Sequence, residues 1–272
     1  MSVLQWRNHY QGQLFAIIDG VADSDLIPHF YDLGSGEAFP LFAGTPFADQ
    51  AAQGPWLLSA PSAEFIGQHP TPSGFYVVSD QPVEVVRRHW QSLIEAIREG
   101  EALWLRFSDQ RIFLPMLQAM TVAERDSVLG PCAGLWINGQ AISRSVDAAP
   151  YQLQPRPWFH IRPQHLAALY DESRHRYILQ RRLWQTMTSM MERHPTPEVT
   201  IAAMLRRANQ AGLRDELRDG VVAGALALEV GLPVATIQPA FMLTDDELQQ
   251  VERWLTEHGV SSAQYHPLSG AH

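Results

Sequence analysis

Three short apolar runs between positions 14 and 58 limit this chain's fold more than any other feature. Residues 14–18 read LFAII and stop at Asp19-Gly20. Residues 39–43 read FPLFA and stop at Gly44-Thr45-Pro46. Residues 56–58 read WLL and follow Gly54-Pro55 directly. Between the first two runs, residues 26–33 have helical character and are closed by Gly34. Apolar runs this short, fenced by glycine and proline, read as buried strands rather than helices. Strands alternating with helices predict an α/β lobe, its mostly parallel sheet flanked by helices on both faces.

The alternation continues to Gly139. Residues 75–78 are a fourth strand candidate. Pro82 opens a helix carrying Val83, Val86, Trp90, Leu93, Ile94 and Ile97 at helical spacing, which Gly100 ends. Residues 102–107 are a fifth strand candidate, and a helix is expected over 112–120 with Pro115 near its first turn. Thr121-Val122-Ala123-Glu124 has capping-box form. A sixth strand candidate, 133–137, stops at Asn138-Gly139.

The character then changes. Pro150, Pro155, Pro157 and Pro163 crowd one stretch, which reads as a linker or extended crossover. Beyond it the spacing is helical. Leu166, Leu169, Tyr170, Tyr177, Trp184, Met187 and Met191 predict the inward stripe of one long helix starting near Pro163. His194-Pro195 breaks it, and Thr196-Pro197 restarts with an N-cap residue and a proline at the first helical position. Residues 213–231 read as two packed pieces divided at Gly220 and Gly224. Thr244-Asp245-Asp246-Glu247 opens a last helix with Leu248, Val251 and Leu255 inward. The expected organisation is an α/β domain over 1–147, a Pro-rich linker over 148–162, and an all-helical lobe over 163–272.

Composition removes several function classes. The chain has 20 basic residues, every one an arginine, so Schiff-base, P-loop and kinase-type lysine chemistry is excluded. The formal net charge of -9 argues against general nucleic-acid binding, which needs a basic field. Cys132 is the single cysteine, so no intrachain disulfide forms and no cysteine-rich zinc site exists; its apolar neighbours predict a small buried hydrophobe. The stretch MSVLQWRNHYQGQ has no basic region followed by an apolar one, and no run approaches a membrane span. A soluble cytoplasmic protein with no membrane partner is expected.

Candidate chemistry is sparse. Asp19 and Asp109 follow predicted strands, where open α/β sheets keep their sites, and Arg111 could pair with a carboxylate or an anion. The competing reading makes both aspartates caps of the following turn or helix. Gly34-Ser35-Gly36 lacks the third glycine of a dinucleotide loop and follows a helix. No nucleophile elbow and no H-E-x-x-H occurs. His160 and His165 straddle Pro163 without a third ligand. His69, His89 and His175 read as surface or satisfied core residues. No cofactor and no metal is expected. Arg174, Arg176, Arg181 and Arg182 crowd the long helix and are the candidate partner-binding residues, suited to an acidic partner segment. Trp184 is placed on the inward side.

Four segments together carry a resemblance: Asp19-Gly20, Leu41-Phe42-Ala43-Gly44-Thr45-Pro46-Phe47-Ala48, Gly54-Pro55-Trp56-Leu57 and Leu105-Arg106-Phe107-Ser108-Asp109-Gln110-Arg111. In this order, over about residues 12 to 138, the chain resembles the type VI secretion effector chaperones, also called adaptors. Gln110 departs from the pattern, where proline is common. The resemblance implies a non-enzymatic protein that binds one toxin effector in the producing cell and helps load it onto the VgrG spike or its PAAR cap. It carries over no catalytic residue. Two other functions remain: a hydrolase-like or nucleotide-binding enzyme using Asp19, Asp109 and Arg111, and a chain that is itself a toxin.

Overall fold

The computed structural model describes residues 1–213 and 215–260. The chain forms two compact units, Met1–Leu169 and Tyr170–His272.

In the first unit, β1 (Gln13–Asp19), β2 (Ala38–Pro40), β3 (Pro55–Ser59), β4 (Gly74–Ser79), β7 (Gly134–Ile137) and β8 (Gln140–Ser143) form one sheet in the order β2-β3-β1-β4-β7-β8. A smaller sheet joins β5 (Glu95–Arg98), β6 (Glu101–Trp104) and β9 (Phe159–His160) in the order β6-β5-β9. Every neighbouring pair in the larger sheet is antiparallel. In the smaller one β5 pairs antiparallel with β6 and parallel with β9. The expectation of a mostly parallel sheet is therefore corrected.

The reason lies in how two β-α-β units interleave. β1 leads through α2 (Leu26–Asp32) to β2, which runs the same way but lies two places off; β3 fills the gap in the opposite direction. β3 leads through α3 (Ala63–Gln68) to β4, and β1 fills that gap. Each unit is locally what the alternation predicts, yet no two helix-linked strands among these become neighbours.

Burial on both faces explains the unbroken apolar runs. Along β1, Leu14, Ala16 and Ile18 face a layer built from α1 (Val3–Arg7), α2 and α3, where Trp6, Phe30, Phe65 and Tyr76 pack together. Phe15 and Ile17 face the opposite layer, made by α4 (Val83–Ser92), α5 (Gln110–Ala119) and α6 (Val122–Leu129), with Trp90, Phe113 and Leu129. A strand covered on both sides needs apolar residues at every position whichever way its neighbours run.

Further local expectations change. The helix opened by Pro82 ends at Ser92 rather than Gly100, and Ile97 belongs to β5. The fifth strand candidate becomes β6, which stops at Trp104. Pro115 sits inside α5, beyond its first turn. The proline-rich stretch contains β9, and Trp158 Nε1 donates to Ser92 Oγ at 3.0 Å. It is followed by α7 (Pro163–Ala167).

The second unit is helical: α8 (Glu172–Thr186), α9 (Thr188–Arg193), α10 (Pro197–Gln210), α11 (Asp215–Glu229), α12 (Gln238–Phe241) and α13 (Asp245–Glu257). The single long helix expected from Pro163 is thus three, α7, α8 and α9. Asp171 caps α8 by accepting from the Ser173 and Arg174 amides. The stretch 213–231, expected as two packed pieces, contains the one helix α11. Val221, Val222, Ala223, Ala225, Leu226 and Ala227 are all buried, as befits a helix enclosed on every side. Gly220 and Gly224 do not break it. They are where Leu243 and the α13 residues Val251 and Leu255 approach closely. Among the described residues no helix is long and apolar enough to cross a membrane.

Candidate functional site

Antiparallel pairing sets the C-terminal end of β1 beside the N-terminal starts of β3 and β4: Asp19 is in register with Pro55, and Ile18 with Gly74. A cleft of about 760 Å³ opens at this end of the sheet. Asp19, Phe42, Trp104, Arg106, Asp109 and Arg111 are among its lining. The structure thus brings together the three residues singled out for chemistry.

Their roles differ. Asp109 is the N-cap of α5, and its Oδ1 accepts from the Arg111 amide at 3.1 Å. The same carboxylate receives Arg111 Nε at 3.0 Å on Oδ1 and Nη2 at 2.8 Å on Oδ2, a bidentate pair. Arg106 Nη2 adds a longer contact at 3.3 Å. The Arg111 side-chain bond is the main cause that holds the Asp109 carboxyl below its ordinary value, against the opposing effect of burial. Arg111 is held above its own ordinary value first by that bond, then by the Asp109 charge, with a smaller contribution from Asp19. Asp19 Oδ1 accepts the Val21 and Ala22 amides at 3.1 and 3.2 Å. Both aspartates are therefore caps, as one reading of the sequence has it, and both also face the cleft. Asp109 is not at the end of a strand of the larger sheet; it follows β6 of the smaller one and heads a helix.

The remaining wall is aromatic. The Trp104 ring lies 5.5 Å from Phe42 and 5.3 Å from Phe47, and Trp104 is 46% exposed. Trp104 gives no local signal, because its place depends on how the smaller sheet meets the larger one; Arg106 lies in a segment of the resemblance, which assigns it no role. The four segments that carry the resemblance meet here and interlock. A β-carbon on Gly20 would sit 2.7 Å from the Trp56 ring, and one on Gly54 would sit 2.6 Å from the Phe42 ring. Thr45 pins its turn by donating to the Phe42 carbonyl at 2.7 Å while accepting the Phe47 amide at 3.1 Å.

In the second unit, the outer face of α8 carries the other candidates. The buried stripe of this helix is Leu179 and Leu183, continued by Met187. Tyr177 and Trp184, expected inward, lie on the opposite side, 65% and 39% exposed, with Ile178 at 54%. Spacing at 174, 177, 178, 181 and 184 puts Arg174, Tyr177, Ile178, Arg181 and Trp184 on one face. Arg174, Arg176 and Arg181 are exposed, with no side-chain partner among the described residues. Arg182 is committed inward: Nη2 donates to the Ala240 carbonyl at 3.0 Å, and the guanidinium lies 4.3 Å from the centre of the Phe241 ring.

The N-terminal end of α8 is tied down by polar side chains. His175 Nε2 meets Asp219 Oδ1 at 2.7 Å, and its Nδ1 meets the Tyr170 hydroxyl at 3.0 Å. Asn209 Nδ2 donates to that hydroxyl and to Glu172 Oε2, each at 3.0 Å. Two of the other histidines named above also have partners: His69 Nε2 meets His29 Nδ1 at 3.0 Å, and His89 Nε2 donates to the Val128 carbonyl at 2.8 Å, whereas the His160 side chain is exposed with no partner among the described residues. His165 Nδ1 accepts the Arg162 amide at 3.1 Å. Among the described residues no group of three or more His, Cys, Asp or Glu side chains could hold a metal ion. Cys132 is fully buried, its thiol pushed up to about 12 by desolvation.

No curated protein and no solved structure matches the chain. Residues 14–127, which include the whole lining of the cleft, match the family described as "Domain of unknown function (DUF4123)".

Proposed function

We propose that this protein is a chaperone or adaptor for a type VI secretion effector. It binds that toxin in the cytoplasm of the producing cell and helps load it onto the VgrG spike or its PAAR cap. The observation that carries the reading is the outer face of α8. Tyrosine, tryptophan, isoleucine and arginine share one exposed helical stripe there, in a unit whose core is already complete. Trp, Tyr and Arg are the residue types that dominate binding energy at protein interfaces. The likeness of four segments to effector chaperones supports the reading, as does the family match over residues 14–127. Arg174, Arg176 and Arg181 suit an acidic stretch of the effector, and Tyr177, Ile178 and Trp184 suit its apolar side.

A second reading has one observation in its favour: Asp19, Asp109 and Arg111 line a single cleft, as an enzyme of hydrolase or nucleotide-binding type would need. The chemistry at Asp109 weighs against it. Its oxygens receive four N–H contacts and its basicity is lowered, whereas a general base works best with a pKa near the operating pH. Asp19→Asn with Asp109→Asn separates the two. A turnover lost in a variant that still folds favours the enzyme.

The test of the main reading is affinity capture from the producing cell with the intact chain, beside a Tyr177→Ala/Trp184→Ala variant. The expected result is one secreted polypeptide on the wild type and its loss on the variant. Recovery of nucleotide or nucleic acid with no secreted polypeptide overturns it.

A further inference from the structure

We propose that the cleft at the end of the larger sheet is a separate docking site for an extended peptide. That peptide places an acidic side chain next to an aromatic or branched apolar one. The site shares no residue with the α8 face and lies in the other unit, so it stands or falls independently of the reading above.

Two arginines define the polar half. Arg106 and Arg111 side chains are 62% and 86% exposed, yet both are fixed by the nearly buried Asp109. Each spends only part of its five N–H donors on that carboxylate, and the rest face solvent. Pre-oriented guanidinium groups lose little freedom when they take a further acceptor, which is what favours capture of a planar carboxylate.

Charge arithmetic limits the ligand. Among the described residues, the charged side chains lining the cleft are Asp19 and Asp109 against Arg106 and Arg111, two of each sign, so this lining is neutral. A polyphosphate needs an excess of positive charge and finds none; a single carboxylate needs only the donors that Arg106 and Arg111 do not spend on Asp109, and neutral amides beside it add no further charge. Asp19 supplies the complement. Its Oδ1 is occupied by two backbone amides, while Oδ2 accepts nothing from the described residues and can take a peptide N–H.

The apolar half is the aromatic wall. Trp104 keeps nearly half its surface in water although it is braced by Phe42 and Phe47. A braced, half-open indole is a stacking surface for a bulky side chain. The volume, about 760 Å³, lies within the range of ligand sites. Arginine head groups and a half-open indole in one lining call for a ligand with an acidic and a bulky apolar group side by side along an extended backbone.

The test pans random short linear peptides displayed on phage against the full chain. Enriched sequences are then synthesised and titrated by calorimetry against wild type, Arg106→Gln and Trp104→Ala. The expected result is enrichment of peptides with Asp or Glu within a few positions of a large apolar residue. Both variants should weaken binding by about tenfold or more. Replacing the acidic residue of the peptide by its amide should do the same with the protein untouched, so the test survives a variant that fails to fold. No enrichment overturns the proposal, as does equal binding to Trp104→Ala. Stoichiometric binding of ATP that is lost in Arg106→Gln also overturns it.

Discussion

Asp109 both caps a helix, α5, and holds two arginines at the proposed docking cleft. Asp109→Ala should cost about 1–2 kcal/mol in urea unfolding, chiefly the lost cap and the desolvated amide left behind. Arg111→Gln should cost less, since its guanidinium is already in water. His89 sets the acid response. Burial is the largest cause that takes its pKa from 6.5 down to about 4, with the Val128 bond opposing and Arg144 adding to the drop. The unfolded chain therefore binds the proton first. Stability is greatest above the unfolded value and falls as pH drops from about 6.5 to 4, by a total on the order of 3 kcal/mol. Asp109, whose folded value is depressed, adds to the loss at lower pH, because the stability it contributes above the unfolded carboxylate value disappears on protonation. A urea midpoint measured across this window should decline steadily, and His89→Gln should flatten the part between pH 6.5 and 4. The capping roles of Asp19 and Asp109 were legible because a cap acts within a few residues. The guanidinium pair over Asp109 was half legible: Arg111 is close in sequence, while the cleft that gives Arg106 and Trp104 their meaning is made by long-range packing.

Among elements, α8 carries the proposed partner-binding face. Read as part of one helix from Pro163, its phase points Tyr177 and Trp184 inward; the break at Asp171 resets the phase, and Leu179 and Leu183 take the core instead. Tyr177→Ala should shift stability by about 0.5 kcal/mol or less, and Trp184→Ala by about 1 kcal/mol or less. Leu183→Ala, which empties a fully buried position, should cost about 2–5 kcal/mol. Chemical denaturation of the three variants distinguishes a core face from a docking face directly. The strands teach a related lesson. Each of the six apolar runs contains a strand, although β2 and β6 take up only part of theirs and are not buried on both faces, and an apolar run says nothing of direction. β5, β8 and β9 leave no clear signal in the sequence: β8 is mostly exposed, β9 has only two residues, and β5 continues the apolar periodicity of the preceding helix.

At the scale of the molecule, each unit has its own core: two buried clusters flank the larger sheet, and a third lies among α8 to α13. The first unit extends to Leu169, past the proline-rich stretch, since Phe159 is buried in its core and β9 pairs with β5. A fragment of residues 1–169 should unfold cooperatively, and one of 1–147 should do so at a clearly lower urea midpoint, having lost that strand and the Trp158 bond to Ser92. The alternation of helix and strand followed by helix alone was legible from spacing, because it reflects which faces are covered. The interleaving that makes the sheet antiparallel was not, because strand order is decided by contacts between residues far apart. The proposed function has this chain hold another polypeptide through α8. Comparing the proteins that the producing cell releases tests it most directly, with the chain present, deleted, or replaced by the Tyr177→Ala/Trp184→Ala variant. One secreted protein should vanish on deletion, return with the wild type, and fall about tenfold or more with the variant. A set of released proteins unchanged by deletion would contradict the claim.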